Sequence, residues 1–99
     1  MKQEFIDRVN REMSQDLSGL KKSTPEMLAI ACRILAAEGH ESGLAGQVTA
    51  RAEEPNTWWT LEFGYGFDEA TANRMVLVDE DLKPLSGARP NPGVRFHVW

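Results

Sequence analysis

The chain has 99 residues, of which 41% are hydrophobic and 26% charged, a composition typical of one small soluble domain. Its net charge of -4 offers no basic surface to nucleic acid or to an anionic membrane, and no apolar run approaches the roughly 20 residues that span a bilayer. Residues 1–20 contain no apolar segment typical of a signal peptide. The single cysteine, Cys32, can form no internal disulfide and is interpreted as a small core side chain. We therefore expect a cytoplasmic protein.

The first predicted element is an amphipathic helix over residues 2–17, ended by Ser18 and Gly19. Its apolar side chains recur at spacings of mostly three and four residues, which places them along one stripe. We interpret this helix as a peripheral arm that packs against the domain or faces another subunit. The stripe consists of Phe5, Ile6, Val9, Met13 and Leu17.

A second helix is predicted to start at Ser23 or Thr24 and to continue through Ala37. Either hydroxyl can cap the free N–H groups of the first turn, and Pro25 suits the first helical position because it has no N–H to leave unpaired. Gly39 ends the pattern. The broad apolar face predicts the most buried helix of the chain, and it comprises Met27, Leu28, Ile30, Ala31, Ile34, Leu35 and Ala36.

A glycine-rich turn links this helix to the next strand. Three glycines fall within the eight residues 39–46, together with His40, Glu41 and Ser42. One interpretation is a tight connection with a glycine at the helix end. The other is a loop whose backbone N–H groups face an anionic ligand. The sequence leaves both open.

The strands that follow are predicted at residues 47–51, 57–63 and 74–79, with an extended segment at 83–85 and a short helical turn at 68–71. The first two form an antiparallel hairpin around the turn at 53–56. Alternation places Trp59, Leu61 and Phe63 opposite Trp58, Thr60 and Glu62, so one tryptophan points away from the main core face, toward a helix or a neighbouring subunit. The acidic residues 79–81 indicate a solvated turn rather than a calcium site.

Asn91 and Pro92 repeat the cap-plus-proline pattern and predict a last helix. Val94 and Val98 would form its inner stripe, with Trp99 as a further candidate. The sequence stops about two turns into this helix, so we expect the chain to be the N-terminal piece of a longer protein.

Three segments in this order resemble the N-terminal part of the class II aldolase/adducin family, which includes L-fuculose-phosphate aldolase. Residues 43–51 (Gly-Leu-Ala-Gly-Gln-Val-Thr-Ala-Arg) are similar to its glycine turn and strand, residues 75–82 to a strand and turn, and residues 90–97 to the start of the next helix. The resemblance implies an α/β fold, a three-layer αβα sandwich with a mostly antiparallel central sheet, of which residues 25–99 would be the N-terminal part. Residues 1–24 would be an N-terminal amphipathic helix and linker.

The resemblance also implies site residues. In such aldolases the glycine turn, a Thr-Gly pair and a Ser-Ser pair bind the substrate phosphate, and a Glu acts as the general acid/base. Carried onto this sequence, the substrate-binding positions are Gly46, Gln47, Gly64 and Asn91. Gly93 stands at the Glu position, so no catalytic residue is predicted within the chain.

The family's metal would be held elsewhere. Three His residues of such aldolases bind zinc, and their counterparts would lie beyond residue 99, so we expect zinc in the full-length protein and none in this chain. His97 has no second ligand near it in sequence and is expected to pack or to form a hydrogen bond; His40 is expected to be exposed.

Two functions follow from the resemblance. One is a diverged metal-dependent lyase that acts on a small carbonyl or hydroxy-acid substrate as a homo-oligomer. The other is a non-catalytic, adducin-like module for protein association. By itself the 99-residue chain is expected to bind no zinc tightly and to self-associate through uncovered apolar surface.

Overall fold

A computed structural model describes residues 2–19, 22–41 and 43–99, with the side chains of residues 15–19 left out. Ser42 of the glycine-rich turn and the side chain of Leu17 in the first helical stripe therefore lie outside the described residues. The described elements are α1 (Lys2–Gly19), α2 (Thr24–Ala37), β1 (Thr49–Arg51), β2 (Thr57–Leu61), β3 (Met75–Asp79), β4 (Pro84–Ser86) and α3 (Arg95–Val98). Short 3-10 turns occupy Phe67–Glu69, Ala72–Arg74 and Pro92–Val94. The strands form an antiparallel sheet in the order β1-β2-β3-β4.

The boundaries of α2 follow from the residues at its ends. The Ser23 hydroxyl accepts a hydrogen bond from the main-chain N–H of Glu26, which confirms the predicted cap. At the other end Gly39 adopts a φ of +80°, and the N–H of His40 donates to the carbonyl of Leu35 at 2.8 Å. This left-handed termination satisfies carbonyl groups that the helix itself leaves free. The helix-ending role predicted for Gly39 is confirmed.

The main core lies between α2 and one face of the sheet. Leu28 and Cys32 of α2 are buried against Leu61 of β2 and Met75 of β3. Ala29, Phe67 and Ala70 complete this cluster. Fewer α2 side chains are buried than the apolar pattern predicts, because a side chain is buried only where another element packs against it.

Two residues of the predicted α2 face are in fact exposed. Met27 and Ile34 retain 54% and 57% of their accessible surface. They lie seven residues apart, about two helical turns, so they share a line along the helix that the sheet does not reach. The prediction that they are buried is wrong.

The opposite face of the sheet carries a second cluster. Trp58, Val76 and Val78 are buried there, and Val98 of α3 packs against them. Trp58 is therefore the tryptophan that points away from the main core, and it meets a helix of the same chain. Trp99 does not join this cluster, because it is 83% exposed.

β1 and β2 are shorter than predicted. β1 begins at Thr49 rather than at residue 47, and β2 ends at Leu61. The N–H of Glu62 still donates to the carbonyl of Arg74, but the N–H of Phe63 donates to the carbonyl of Arg89 at 2.7 Å, so the main chain changes its partner at Phe63. Phe63 is 40% exposed, so the strand face that Leu61 buries does not continue to Phe63.

The amphipathic pattern of α1 does form a helix, but its apolar stripe is open. Phe5, Ile6 and Met13 are 67%, 41% and 55% exposed, whereas Val9 is half-buried. Across the described ranges, no helix combines the length and apolarity needed to cross a bilayer.

The acidic segment between β3 and β4 is a turn closed by its own first carboxylate. Asp79 Oδ1 accepts hydrogen bonds from the main-chain N–H groups of Asp81 and Lys83, each at 2.9 Å. Leu82 follows with a φ of +62°, a left-handed conformation that is unusual for a branched side chain. The carboxylate thus shapes the turn, as the solvated-turn interpretation predicts.

Candidate functional site

The glycine turn, defined here as residues 43–47, is fastened to the start of the C-terminal helical segment by Asn91. The Asn91 amide Nδ2 donates to the carbonyl of Leu44 at 2.8 Å. Its Oδ1 accepts from the N–H of Gly93 at 2.9 Å, which confirms the predicted N-cap. Both ends of one side chain are therefore engaged, and Asn91 holds the turn and the cap in a fixed relation.

All four residues that the resemblance places at the substrate site line one small cavity, called the hollow below. They are Gly46, Gln47, Gly64 and Asn91, and the other lining residues are Thr60, Leu61, Glu62, Phe63 and Tyr65. The hollow has a volume of about 10 Å³, which is the space of about one water molecule. It can accept one small polar group of a ligand, and a whole substrate would need further opening.

Close packing fixes the floor of the glycine turn. A β-carbon added to Gly46 would lie 2.9 Å from Cζ of Phe67, whose ring is buried in the main core. Glycine therefore lets the turn approach the core more closely than any other residue would.

Gln47 and Gly93 face each other across the hollow's edge. A β-carbon built on Gly93 would lie 2.7 Å from Nε2 of Gln47 and 2.8 Å from its Cδ. The Gln47 amide also donates from Nε2 to the carbonyl of Ala45 in its own turn. The carboxamide of residue 47 thus occupies the space into which a side chain at residue 93 would extend.

The lining of the hollow combines main-chain N–H groups with one charged residue. Within the described chain, the main-chain N–H groups of Gly46, Gln47 and Gly64 donate to no protein group. Glu62 contributes a half-buried carboxylate residue to the lining. Two further lining residues are aromatic, Phe63 and Tyr65.

Each aromatic wall carries an arginine. The Arg89 guanidinium carbon lies 5.2 Å from the ring centroid of Phe63, and that of Arg74 lies 4.2 Å from the ring centroid of Tyr65. A guanidinium at this distance from a ring is held by attraction to the ring face. Two guanidinium groups therefore pack against aromatic residues that line the hollow.

The two histidines do not form a metal site. Nδ1 of His97 lies 3.0 Å from Oγ1 of Thr49, so His97 is a hydrogen-bonding residue, as expected. His40 is exposed. Among residues 2–19, 22–41 and 43–99 there is no group of three or more His, Cys, Asp or Glu that could hold a metal ion.

A larger cavity of about 500 Å³ lies elsewhere, at the N-terminal end of α2. Trp59 and Leu77 line it together with the segment from Lys22 to Pro25 and the turn that follows β1. It contains none of the residues that the resemblance places at the site. We therefore assign the candidate site to the smaller hollow, where the predicted residues meet.

The amino-acid sequence matches the family described as Class II Aldolase and Adducin N-terminal domain over residues 26–99. The chain belongs to this family. Its mixed architecture of helices and an antiparallel sheet agrees with that membership. No curated protein sequence matches the chain at a significant level.

Among solved structures, this class II aldolase/adducin chain is similar to the L-fuculose 1-phosphate aldolase from Glaciozyma antarctica PI12. The two share 28% sequence identity with a TM-score of 0.69, and the match covers 75% of this chain and 32% of that one. The chain thus spans about a third of the length of that aldolase.

Sequence reasoning missed two features of the hollow. Glu62 and Tyr65 line it, although neither was named as a site residue. Alternation along the second strand does place Glu62 on the same side as Thr60, and that signal could have drawn attention to it. The contact of Gln47 with Gly93 had no local signal, since only the fold brings the two segments together.

Proposed function

We propose that the protein, at full length, is a diverged aldolase-like enzyme, a metal-dependent lyase for a small carbonyl or hydroxy-acid substrate. The observation that carries this proposal is the convergence of Gly46, Gln47, Gly64 and Asn91 on one hollow of a class II aldolase/adducin domain. Backbone N–H groups of three of these residues are free of protein partners among the described residues, and such groups suit the oxygen atoms of an anionic or carbonyl ligand.

The roles of these residues differ. Gly46, Gln47 and Gly64 are the proposed binding residues, because each lines the hollow and keeps its N–H available. Asn91 is a positioning residue, since both ends of its side-chain amide already form hydrogen bonds within the chain. Gly93 has no side chain, so it cannot transfer a proton. A positioned general acid/base typically contributes about 10²–10⁴ in rate, so we expect slow chemistry unless another residue supplies the proton.

The metal is assigned outside the described residues. Class II aldolases are typically zinc-dependent, and in the proposed enzyme zinc would be held by residues beyond 99. The residues described here offer no cluster that fits a metal ion. We therefore assign no step of the reaction to the metal from this part of the chain, and we expect the isolated 99-residue chain to bind no zinc tightly.

The test is metal analysis of the full natural chain, followed by an assay for carbon–carbon bond cleavage. The assay panel comprises small hydroxy acids, small hydroxy-carbonyl compounds and L-fuculose 1-phosphate. We expect one bound divalent metal and turnover of an unphosphorylated compound. The variant Gly64→Ala should lower turnover, while the exposed Asp81→Asn should leave it unchanged. Absence of bound metal would count decisively against the proposal.

A second candidate is a non-catalytic association module, favoured by an exposed aromatic pair on α3. Phe96 and Trp99 are 75% and 83% exposed, and their rings pack edge to face at 5.8 Å. Exposed aromatic side chains of this kind are enriched at protein interfaces. A specific macromolecular partner in pull-down and size-exclusion experiments, without metal or turnover, would favour this function over the first.

Further features of the full protein belong to the same proposal. We propose that residues 25–99 are the N-terminal part of a three-layer αβα sandwich and that residues 1–24 form a helix and linker ahead of it. The proposed assembly is a homo-oligomer in the cytoplasm. The exposed stripes of α1 and α2, which include Phe5 and Ile34, support association of the isolated chain.

A further inference from the structure

Two uncovered apolar surfaces lie in the same chain. The first is the cavity of about 500 Å³ at the beginning of α2, called the cleft below. Trp59 and Leu77 form its apolar wall; they lie directly opposite each other on β2 and β3, and both are only half-buried. The rim consists of residues 22–25 and of residues 52–54 in the turn after β1. The cleft is therefore sheet surface that α2 leaves open.

The second surface is the apolar stripe of α1, in which Phe5, Ile6 and Met13 are exposed. The family match begins at residue 26, so α1 precedes the matched domain. Its 18 residues make a helix of about 27 Å. The described chain measures 58 × 32 × 22 Å, and the excess of its longest dimension is close to the length of α1. The helix thus projects from the domain toward any neighbouring copy.

The charges of the two surfaces are complementary. Among the described lining residues of the cleft, the carboxylates Glu53 and Glu54 outnumber the one cation, Lys22. Lys2 lies one helical turn before the first residues of the α1 stripe, so it shares their face. An ammonium group at the end of an apolar stripe therefore matches an acidic rim beside an apolar wall.

The other charged residues of α1 do not oppose this match. Arg8 and Glu12 flank the stripe and pair with each other at 3.4 Å. Glu4, Asp7 and Arg11 lie on the opposite face, as the helical repeat of 3.6 residues requires. Within residues 2–14, whose side chains the structure describes, Lys2 is thus the charge that α1 presents in line with its apolar surface.

The area available supports an exchange in both directions. The exposed fractions of 67%, 41% and 55% leave roughly 300 Å² of apolar surface on the three α1 side chains, since a large side chain of this kind offers about 200 Å². Because a contact covers a similar area on the partner, one docked α1 buries roughly 600 Å² and two bury roughly 1,200 Å². Specific interfaces begin at about 1,200 Å², so a single docked helix would be insufficient.

We propose that α1 of one copy docks in the cleft of a second copy and that the exchange is reciprocal, which gives a dimer with two-fold symmetry. Phe5 and Ile6 pack against the apolar wall, and Lys2 lies beside the acidic rim. The inference goes beyond the proposed lyase, because neither surface contains a residue of the hollow.

Cross-linking tests where α1 docks in the full natural chain. Two differently tagged chains are co-expressed, one with Ile6→Cys and the other with Glu53→Cys, and are treated with a short bismaleimide at limiting concentration. We expect a link between residues 6 and 53 that joins the two tags, located by peptide mass spectrometry. Arg11→Cys in place of Ile6→Cys should lower the yield at least about fivefold, because residue 11 lies on the opposite face of α1.

The yield of the same link measures the packing and charge contributions. Phe5→Gln, at an exposed position outside the domain core, should lower the yield by about tenfold, since a buried aromatic contact is lost. Lys2→Glu should lower it by about threefold, and Glu54→Lys in the second chain should restore it. A loss that Glu54→Lys does not restore would overturn the assignment of Lys2 to the acidic rim.

The outcomes separate this inference from the proposed function. The exchange is overturned by equal yields from residues 6 and 11, by a link from residue 6 to the exposed line of Met27 and Ile34, or by a link that forms only within a chain carrying both cysteines. Bound metal and turnover in the same preparation would then leave the proposed lyase standing. A link between residues 6 and 53, without metal or turnover, supports the exchange and counts against the lyase.

Discussion

Thr49 and His97 join the first strand to the last helix through a contact of 3.0 Å between Oγ1 and Nδ1. This contact crosses the face of the sheet on which Trp58 and Val98 are packed together. It holds α3 over the second cluster by a polar link in addition to apolar packing. A four-residue helix is too short to be stable by itself, so α3 depends on contacts with the rest of the chain, of which this link is one.

Removal of the Thr49 hydroxyl should loosen α3. Thr49→Val keeps the shape of the side chain but leaves His97 without this partner, and we expect a loss of about 0.5–1.5 kcal/mol in the free energy of unfolding. Urea denaturation followed by tryptophan fluorescence measures it. Thr49→Ser retains the hydroxyl and should lose less, so an equal loss in both variants would contradict the assigned role.

Asn91 should contribute more to the stability of the fold than an ordinary helix cap does. Asn91→Ala removes the bonds to both Leu44 and Gly93, with an expected loss of about 1–3 kcal/mol in the free energy of unfolding. Asn91→Ser preserves a capping oxygen but is too short to reach Leu44. If chemical denaturation shows that Ser restores full stability, the link to the glycine turn contributes nothing.

Gly46 should not tolerate a side chain while Phe67 stays in place. The β-carbon of Gly46→Ala would lie 2.9 Å from Cζ of Phe67, so we expect a destabilisation of about 1–3 kcal/mol from overpacking. Phe67→Leu shortens the obstructing ring. Thermal unfolding of the double variant should therefore show a smaller effect of Gly46→Ala, and an undiminished effect would place the strain elsewhere.

Because Cys32 is buried, we expect the stability of the protein to depend on pH in the alkaline range. Burial of the thiol raises the pKa of Cys32 above its ordinary value of 9.0, so the folded protein keeps the proton at a pH where the unfolded chain releases it. The resulting stability is fully present below pH 9.0 and is lost as the pH rises through the folded pKa. The stability difference between the natural chain and Cys32→Ala should therefore shrink as the pH rises above 9.0. A constant difference in denaturation midpoints across that range would contradict the burial argument.

Local chemistry predicted several elements well because their causes lie within a few residues. Ser23 and Pro25 define the start of α2, and Asn91 defines the last helical segment, through contacts that span two or three positions. Alternation along β2 predicted that Trp58 and Trp59 lie on opposite faces because the strand period is fixed by backbone geometry, and the structure identifies Trp58 as the one on the far face.

The misses have a different physical origin. The apolar periodicity of α2 includes Met27 and Ile34, but periodicity cannot say whether another element covers them, and in this chain none of the described elements does. The same holds for the hollow. Asn91 meets Leu44 across a sequence separation of 47 residues, and Gln47 meets Gly93 through the same approach of two loops. Such contacts are fixed by the path of the whole chain, which no short window contains.

β4 has a consequence for how the sheet can grow. All three of its residues are exposed, and the strand opens with Pro84, which has no N–H to offer a further strand. This border of the sheet is thereby protected against pairing with stray extended chains, as edge prolines protect many natural sheets. An additional strand would find more main-chain N–H donors at β1, the opposite edge strand of the sheet.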